Sequence, residues 1–261
     1  MVPATRPFAA ATEPNAVWCI DFKGWFITAD GRRCYPLTLI DAYSRYLLRC
    51  EAVLEPDTRS VQRILDSAFQ EFGLPKAIRS DNGPPFATTG AGGLSTLSVW
   101  WTRLGIRHDR ITPGKPQQNG RLERFHRTLA ELVRTPAADA QAQQRVFDPF
   151  RREYNNERSH EALRLKPPLT AYAPSKARYP RPLLQMADHD AELCLAVDRL
   201  GFVRWKRRRV FISSALAHET VSLDVGADDE RWTVSWGPIL LGWLDEGRLD
   251  RGLILPTKNR R

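Results

Sequence analysis

The chain has 261 residues, 42% of them apolar, with 39 Lys and Arg against 30 Asp and Glu for a formal charge of +9. That composition excludes a disordered chain, and no apolar stretch approaches the roughly 20 residues that span a bilayer. A basic balance favours a polyanionic partner, and the length allows one large domain plus a smaller one. The opening Met-Val-Pro-Ala-Thr-Arg-Pro-Phe-Ala-Ala lacks the charged head and apolar core of a secretory signal, and Cys19, Cys34, Cys50 and Cys194 form no CxxC pair, so a reduced, cytoplasmic setting is expected.

Residues 16–28 read as a strand, Ala29-Asp30-Gly31 as a hairpin turn, and 34–40 and 45–54 as two further strands, an antiparallel start. Asp57 or Thr58 caps a helix whose Val61, Ile64, Leu65, Ala68, Phe69 and Phe72 keep helical spacing, and Gly73 and Pro75 end it. A short strand over 76–80 delivers Asp81 at its exit. Residues 83–94, rich in Gly and Pro, read as a loop; their Gly-Ala-Gly-Gly lacks the Gly-Lys-Ser/Thr that a phosphate-cradling loop needs. A helix from Ser95 through Leu104, a strand over 106–111 and a Pro-broken link at 113–116 follow. The next helix carries the apolar stripe Leu122, Phe125, Leu129, Leu132, Val133, which leaves Glu123, His126 and Arg127 on a neighbouring flank. A helical pattern over 140–157, with Pro149 expected to begin or kink it, precedes a Pro-rich stretch and then short alternating strands over 192–245 that predict a small β-barrel.

Three carboxylates stand out: Asp21 in a strand, Asp81 at a strand exit and Glu123 on a helix. Gathered in one cleft, each pair would repel by about 4 kcal/mol at 4 Å and a dielectric of 20 unless a cation or proton compensates. Carboxylates suit hard Mg²⁺ or Mn²⁺, whereas zinc calls for His or Cys at ligand spacing. Taken alone, Glu123 with Arg127 is also an ordinary i,i+4 surface pair.

The motifs Asp-Phe-Lys-Gly at 21–24, Ser-Asp-Asn-Gly-Pro-Pro-Phe at 80–86 and Pro-x-x-Asn-Gly-x-x-Glu-Arg at 116–124, with Tyr154-Asn155-Asn156-Glu157-Arg158-Ser159-His160-Glu161-Ala162-Leu163 downstream, resemble bacterial insertion-sequence transposases with a retroviral-integrase-type core. The resemblance implies an α/β, RNase H-like core with a mixed five-stranded sheet and flanking helices over 13–175, a linker at 176–190 and a small C-terminal β-barrel at 191–255. It assigns Asp21, Asp81 and Glu123 as catalytic and metal-binding residues with Mg²⁺ or Mn²⁺, as two ions about 3.5 to 4 Å apart. The implied activity is that of a DDE-type polynucleotidyl transferase: hydrolysis at an element's end, then attack of the released 3′-hydroxyl on target DNA. A homo-oligomer is implied because two element ends are handled together. The interval from Asp81 to Glu123 exceeds the family's usual spacing, and the Gly-rich segment supplies the surplus. In such transposases a helix-turn-helix segment generally precedes the core. A catalytically idle DNA-binding remnant and an RNase H-type nuclease are the alternative functions.

Around the carboxylates, Asn82 and Gly83 are expected to shape the turn after Asp81, and Asn119 and Gly120 the approach to Glu123. Lys115, Arg121, Arg124, His126 and Arg127 are candidate phosphate contacts, as is the run Lys206-Arg207-Arg208-Arg209. Trp205, Trp232, Trp236 and Trp243 read as barrel core or as base-stacking groups.

Overall fold

Residues 10–111, 120–186, 191–226 and 231–256 are described by the structure, a computed structural model, with all their side chains except those of 120–124 and 249. Two compact units emerge: one runs through Phe86 and resumes over Leu104–Pro182; the other joins Ala87–Arg103 to the chain from Leu183 onward.

The first unit is built on β1 (Trp18–Phe22), β2 (Phe26–Ile27), β3 (Arg33–Asp41), β4 (Leu47–Val53), α1 (Thr58–Phe72), β5 (Ala77–Ser80), β6 (Arg107–Arg110), α3 (Gly120–Leu132) and α4 (Ala140–Asn156); α2 (Thr96–Arg103) belongs to the other unit. β4 and β3 pair antiparallel, as do β3 and β1, while β1, β5 and β6 run parallel, giving the order β4-β3-β1-β5-β6. This is the mixed five-stranded sheet expected. The continuous strand expected over 16–28 is instead split: Gly24 takes φ +90°, which bends the chain out of β1, and the two-residue β2 pairs with the start of β3.

Both sheet faces are covered. Alternation along β1 sends Trp18 to one face, where it stacks on Phe69 of α1 with ring centroids 5.8 Å apart. Val17 and Cys19 go to the other face, into a core with Ile40, Leu47, Ala77, Phe125, Leu129, Phe147 and Tyr154, which α3 and α4 supply from above. α1 forms because its six apolar residues share one face and Asp57 caps it, accepting from Ser60 N at 2.8 Å. α4 begins at Asp139, which caps Ala142 N at 2.7 Å, and runs on through Pro149, so Pro149 lies within the helix and does not begin it. α4 also closes the open edge of β4. Asn155 accepts from Leu47 N at 2.8 Å and donates to Leu47 O at 3.0 Å, and Gln144 treats Ala52 N and Cys50 O the same way at 2.8 and 3.0 Å. Two side-chain amides thus stand in for a missing neighbouring strand.

Gly73 ends α1 with φ +74° and ψ −173°, a backbone region essentially reserved for glycine, and a Cβ there would lie 2.7 Å from Ala177 O and 2.9 Å from Ser175 O. Gly73→Ala is therefore expected to lower stability by about 2 kcal/mol or more, read as a drop in the thermal unfolding midpoint.

In the second unit β7 (Leu193–Ala196), β10 (Thr220–Val225), β11 (Arg231–Trp236) and β12 (Ile239–Asp245) form an antiparallel sheet in the order β12-β11-β10-β7, and β8 (Phe202–Trp205) pairs with β9 (Arg208–Phe211) as a separate hairpin. Among the described residues the strands pair as these two sheets around one apolar core. Trp205 and Trp236 are buried in it, so these two tryptophans are core groups. Ala91, Leu94 and Val99 from Ala87–Arg103 pack into the same core, and Arg103 pairs with Glu219 at 2.8 Å.

Candidate active site

The register between β1 and β5 sets two of the carboxylates. Trp18 lies opposite Ile78 and Cys19 opposite Arg79; continued past these pairs, that register would bring Asp21 alongside Asp81, the first residue past β5. Neighbouring strands lie about 4.8 Å apart. Alternation gives Asp21 the face of Cys19, and Asp81 has the same parity as Ala77, so both belong to the face that α3 covers. Both are half-buried.

Asp81 accepts from Gly83 N at 3.2 Å, and burial pushes its carboxyl above the usual carboxylate range. A Cβ on Gly83 would sit 3.3 Å from Asp81 Oδ2, so the turn there is kept narrow by the absence of a side chain. Asn82 Nδ2 donates to Ile111 O at 2.6 Å and Ile111 N to Ser80 O at 3.2 Å, which ties the exit of β5 to that of β6. Next to these ends, Asp109 on β6 pairs with Arg107 at 2.8 Å and Arg79 at 3.5 Å.

α3 carries the third position. Glu123 lies in its first turns, placed by backbone alone, one helical turn before His126. Phe125 and Leu129 anchor the helix in the core, and Phe125 meets Tyr154 edge-on at 5.2 Å. His126 Nε2 lies 3.0 Å from Thr38 Oγ1, and Thr38 is the cross-strand partner of Asp21 on β3. Position 123 is therefore one turn from a group docked beside Asp21. Burial and the nearby Lys23 ammonium push His126 down to about 4, so its ring is neutral at physiological pH. Arg127 is exposed. Lys115 and Asn119 lie outside the described residues, as do the side chains of Arg121, Glu123 and Arg124; Gly120 begins α3.

Among the described residues no three His, Cys, Asp or Glu side chains gather around a metal-sized site. The pair Asp21 and Asp81 offers only oxygen donors, and a carboxylate half removed from water with a backbone N–H as its hydrogen-bond partner suits a hard divalent cation. In the second unit Lys206 pairs with Glu246, and Arg209 with Asp198 at 2.5 Å, while Arg207 and Arg208 are exposed.

Residues that sequence reasoning passed over are Thr38, Ser80 and His108. Ser80 stood inside a quoted motif only as a flank, and nothing in the order of residues places Thr38 opposite Asp21 or His108 opposite Ile78.

A sheet with aspartates at the ends of adjacent parallel strands and a covering helix defines the class, and the family models agree: two descriptions of the integrase core domain match, over residues 11–116 and 104–168. Over residues 11–168 the chain therefore carries an integrase core domain. Its relatives include the insertion element IS476 uncharacterized 39.2 kDa protein of Xanthomonas euvesicatoria, 32% identical over 164 residues, 61% of this chain and 44% of that one. The insertion element IS407 uncharacterized 31.7 kDa protein of Burkholderia multivorans is 34% identical over 155 residues, 58% of this chain and 52% of that one. The chain thus spans about half the length of these curated relatives. Among solved structures, a chain of the simian T-cell lymphotropic virus intasome in complex with PP2A regulatory subunit B56 gamma superposes with a TM-score of 0.49 at 14% identity, covering 98% of this chain and 84% of that one.

Proposed function

We propose that this chain is a DDE-type transposase, a polynucleotidyl transferase that cuts DNA at the ends of its element and joins them to target DNA. The observation that carries the reading is the parallel register of β1 on β5 in an integrase core, Trp18 opposite Ile78 and Cys19 opposite Arg79, which when continued would bring Asp21 beside Asp81.

Asp21, Asp81 and Glu123 are the residues that would hold Mg²⁺ or Mn²⁺, as two ions. Bound there, the metal would supply charge stabilisation for the attacking and leaving oxygens of an in-line displacement. The chain's own contribution is positional. Strands β1 and β5 fix two carboxylates on a rigid sheet, α3 brings the third, and Asn82, Gly83, Asn119 and Gly120 shape the turns at which DNA backbone approaches. Lys115, Arg121, Arg124 and Arg127 meet phosphates flanking the scissile bond. Neutral and docked on Thr38, His126 supports α3 in place of the phosphate contact its sequence position suggested.

The catalytic region is 13–175, followed by the linker 176–190 and a DNA-contacting region at 191–255, whose sheet and hairpin form the halves of a small barrel. Its cationic tip is the turn between β8 and β9. Lys206 and Arg209 are engaged by carboxylates there, which leaves Arg207 and Arg208 to grip backbone phosphate. Replacing both by Ala is expected to reduce the slope of log affinity against log salt by about 2, at about 0.9 per phosphate contact, in anisotropy titrations with duplex DNA. DNA as substrate implies a cytoplasmic site of action, and the handling of two ends implies a homo-oligomer. Among the described residues no helix is long and apolar enough to cross a membrane.

The test is strand joining by the purified chain on a duplex ending in the inverted repeat that flanks its reading frame, with Mg²⁺. Joined molecules support the reading; hydrolysis without joining would assign a nuclease instead.

A further inference from the structure

The two aspartates share a form of backbone support. Ser80 Oγ donates to Asp81 O at 2.8 Å and lies 2.8 Å from His108 Nε2. Thr38 Oγ1 donates to Asp21 O at 3.2 Å and lies 3.0 Å from His126 Nε2. A hydroxyl has one proton. Because each hydroxyl gives its proton to an aspartate carbonyl, each must accept from its histidine, which fixes both rings with hydrogen on Nε2. The two relays approach from opposite faces of the sheet: Thr38 shares the face of Asp21, whereas Ser80 and His108 have the parity of Ile78. Ser80 and Thr38 are buried to 0% exposure, so water cannot take the histidines' place. Burial pushes His108 down to about 3 and His126 to about 4, which keeps both rings neutral and saves a buried positive charge.

We infer that Thr38–His126 and Ser80–His108 are positioning pairs that hold the backbone of Asp21 and Asp81 at the separation a divalent ion requires, with His126 also locking α3, and so position 123, to β3, the strand beside Asp21. A carbonyl that is hydrogen-bonded on a buried hydroxyl cannot rotate its peptide plane freely, and the aspartate that carries it inherits that restraint. The inference rests on the metal-site reading above.

Mn²⁺ binding to the full chain, measured by electron paramagnetic resonance alongside strand transfer and thermal unfolding, tests it. His126→Phe keeps the ring volume and removes the donor; it is expected to weaken Mn²⁺ binding about 10-fold and lower kcat with KM for DNA unchanged. His126→Gln, which returns an N–H at the same reach, restores both. Thr38→Val reproduces His126→Phe, and the double variant is no worse than either single one, because the pair acts as one unit. Ser80→Ala weakens Mn²⁺ binding in the same direction. Wild-type Mn²⁺ affinity in His126→Phe and Ser80→Ala would overturn the inference while leaving the metal site standing. A loss in His126→Phe that His126→Gln does not restore, matched by equal falls in unfolding temperature, reduces His126 to a packing role and overturns it as well. A wild-type chain that binds no Mn²⁺ sinks the metal-site reading and this inference with it.

Discussion

Asp81→Asn is expected to abolish strand transfer, by about a thousandfold or more, while leaving the metal-free protein more stable than the wild type. The first half follows from the several kcal/mol of charge stabilisation that a metal-dependent displacement draws from its carboxylate ligands. The second follows from linkage. Burial raises the folded pKa of Asp81 above its unfolded value, so the folded state holds its proton longer. Below the unfolded pKa the group is protonated in both states and imposes no penalty. As pH rises the unfolded chain releases the proton first, and stability falls until pH passes the folded value, beyond which the penalty is constant. The advantage of Asp81→Asn is therefore complete once pH exceeds the folded value and disappears in acid. Mg²⁺ reverses the ranking: at a hundredfold excess over Kd it adds about 2.7 kcal/mol to the wild type and much less to the variant. Thermal unfolding with Mg²⁺ and with EDTA, at neutral and acid pH, reads all of these arms. A variant that is less stable than the wild type in EDTA at neutral pH would show that Asp81 is a structural carboxylate.

Trp18→Ala is expected to destabilise the first unit by about 3 to 5 kcal/mol. Trp18 is fully buried, stacks on Phe69 and donates from Nε1 to Asn15 Oδ1 at 3.0 Å. Asn15 in turn accepts from Tyr172 and donates to Ala173 O at 2.8 Å, so the indole is keyed into the segment that closes the unit. The loss is a large share of the 5 to 15 kcal/mol that holds a typical domain. Trp18→Phe, which keeps the ring stack and loses the hydrogen bond, costs about 1 kcal/mol. Urea unfolding midpoints compare them. Because Asp21 lies three residues along the same strand, Trp18→Ala also lowers strand transfer, and it does so in proportion to the folded fraction; a larger loss of activity than of folded protein would mean that the face opposite the carboxylates has its own part in the chemistry.

Local physics made much of the fold legible. α1 was readable from helical spacing and an Asp cap, β3 and β4 as strands after a turn, and the exit of β5 at Asp81 from a short strand between Pro75 and Asp-Asn-Gly. What the order of residues does not carry is register. Nothing local says that Trp18 falls opposite Ile78, or that Thr38 faces Asp21, since those relations depend on how strands far apart in sequence align. The break at Gly24 was missed because the apolar run continues past it, and a positive φ leaves no trace in hydropathy. Pro149 does not begin α4 because the helix has a better start at Asp139, and the packing of Phe147 and Tyr154 carries it across the lost N–H. The packing of Ala91, Leu94 and Val99 with strands near the C-terminus was equally hidden, because their partners, such as Leu241, are remote in the chain. The amide pair of Asn155 on β4 gives the downstream motif a physical purpose that its letters alone did not disclose.

The central claim is that Asp21, Asp81 and Glu123 converge on divalent metal. A crystal structure of the chain with Mn²⁺, using the ion's anomalous scattering, tests it most directly. Anomalous density is expected with carboxylate oxygens of Asp21 and Asp81 within about 2.0 to 2.2 Å of an ion, and the Glu123 carboxylate completing the site from the first turns of α3. Anomalous density elsewhere, with Asp21 and Asp81 bearing none under saturating Mn²⁺, would contradict it.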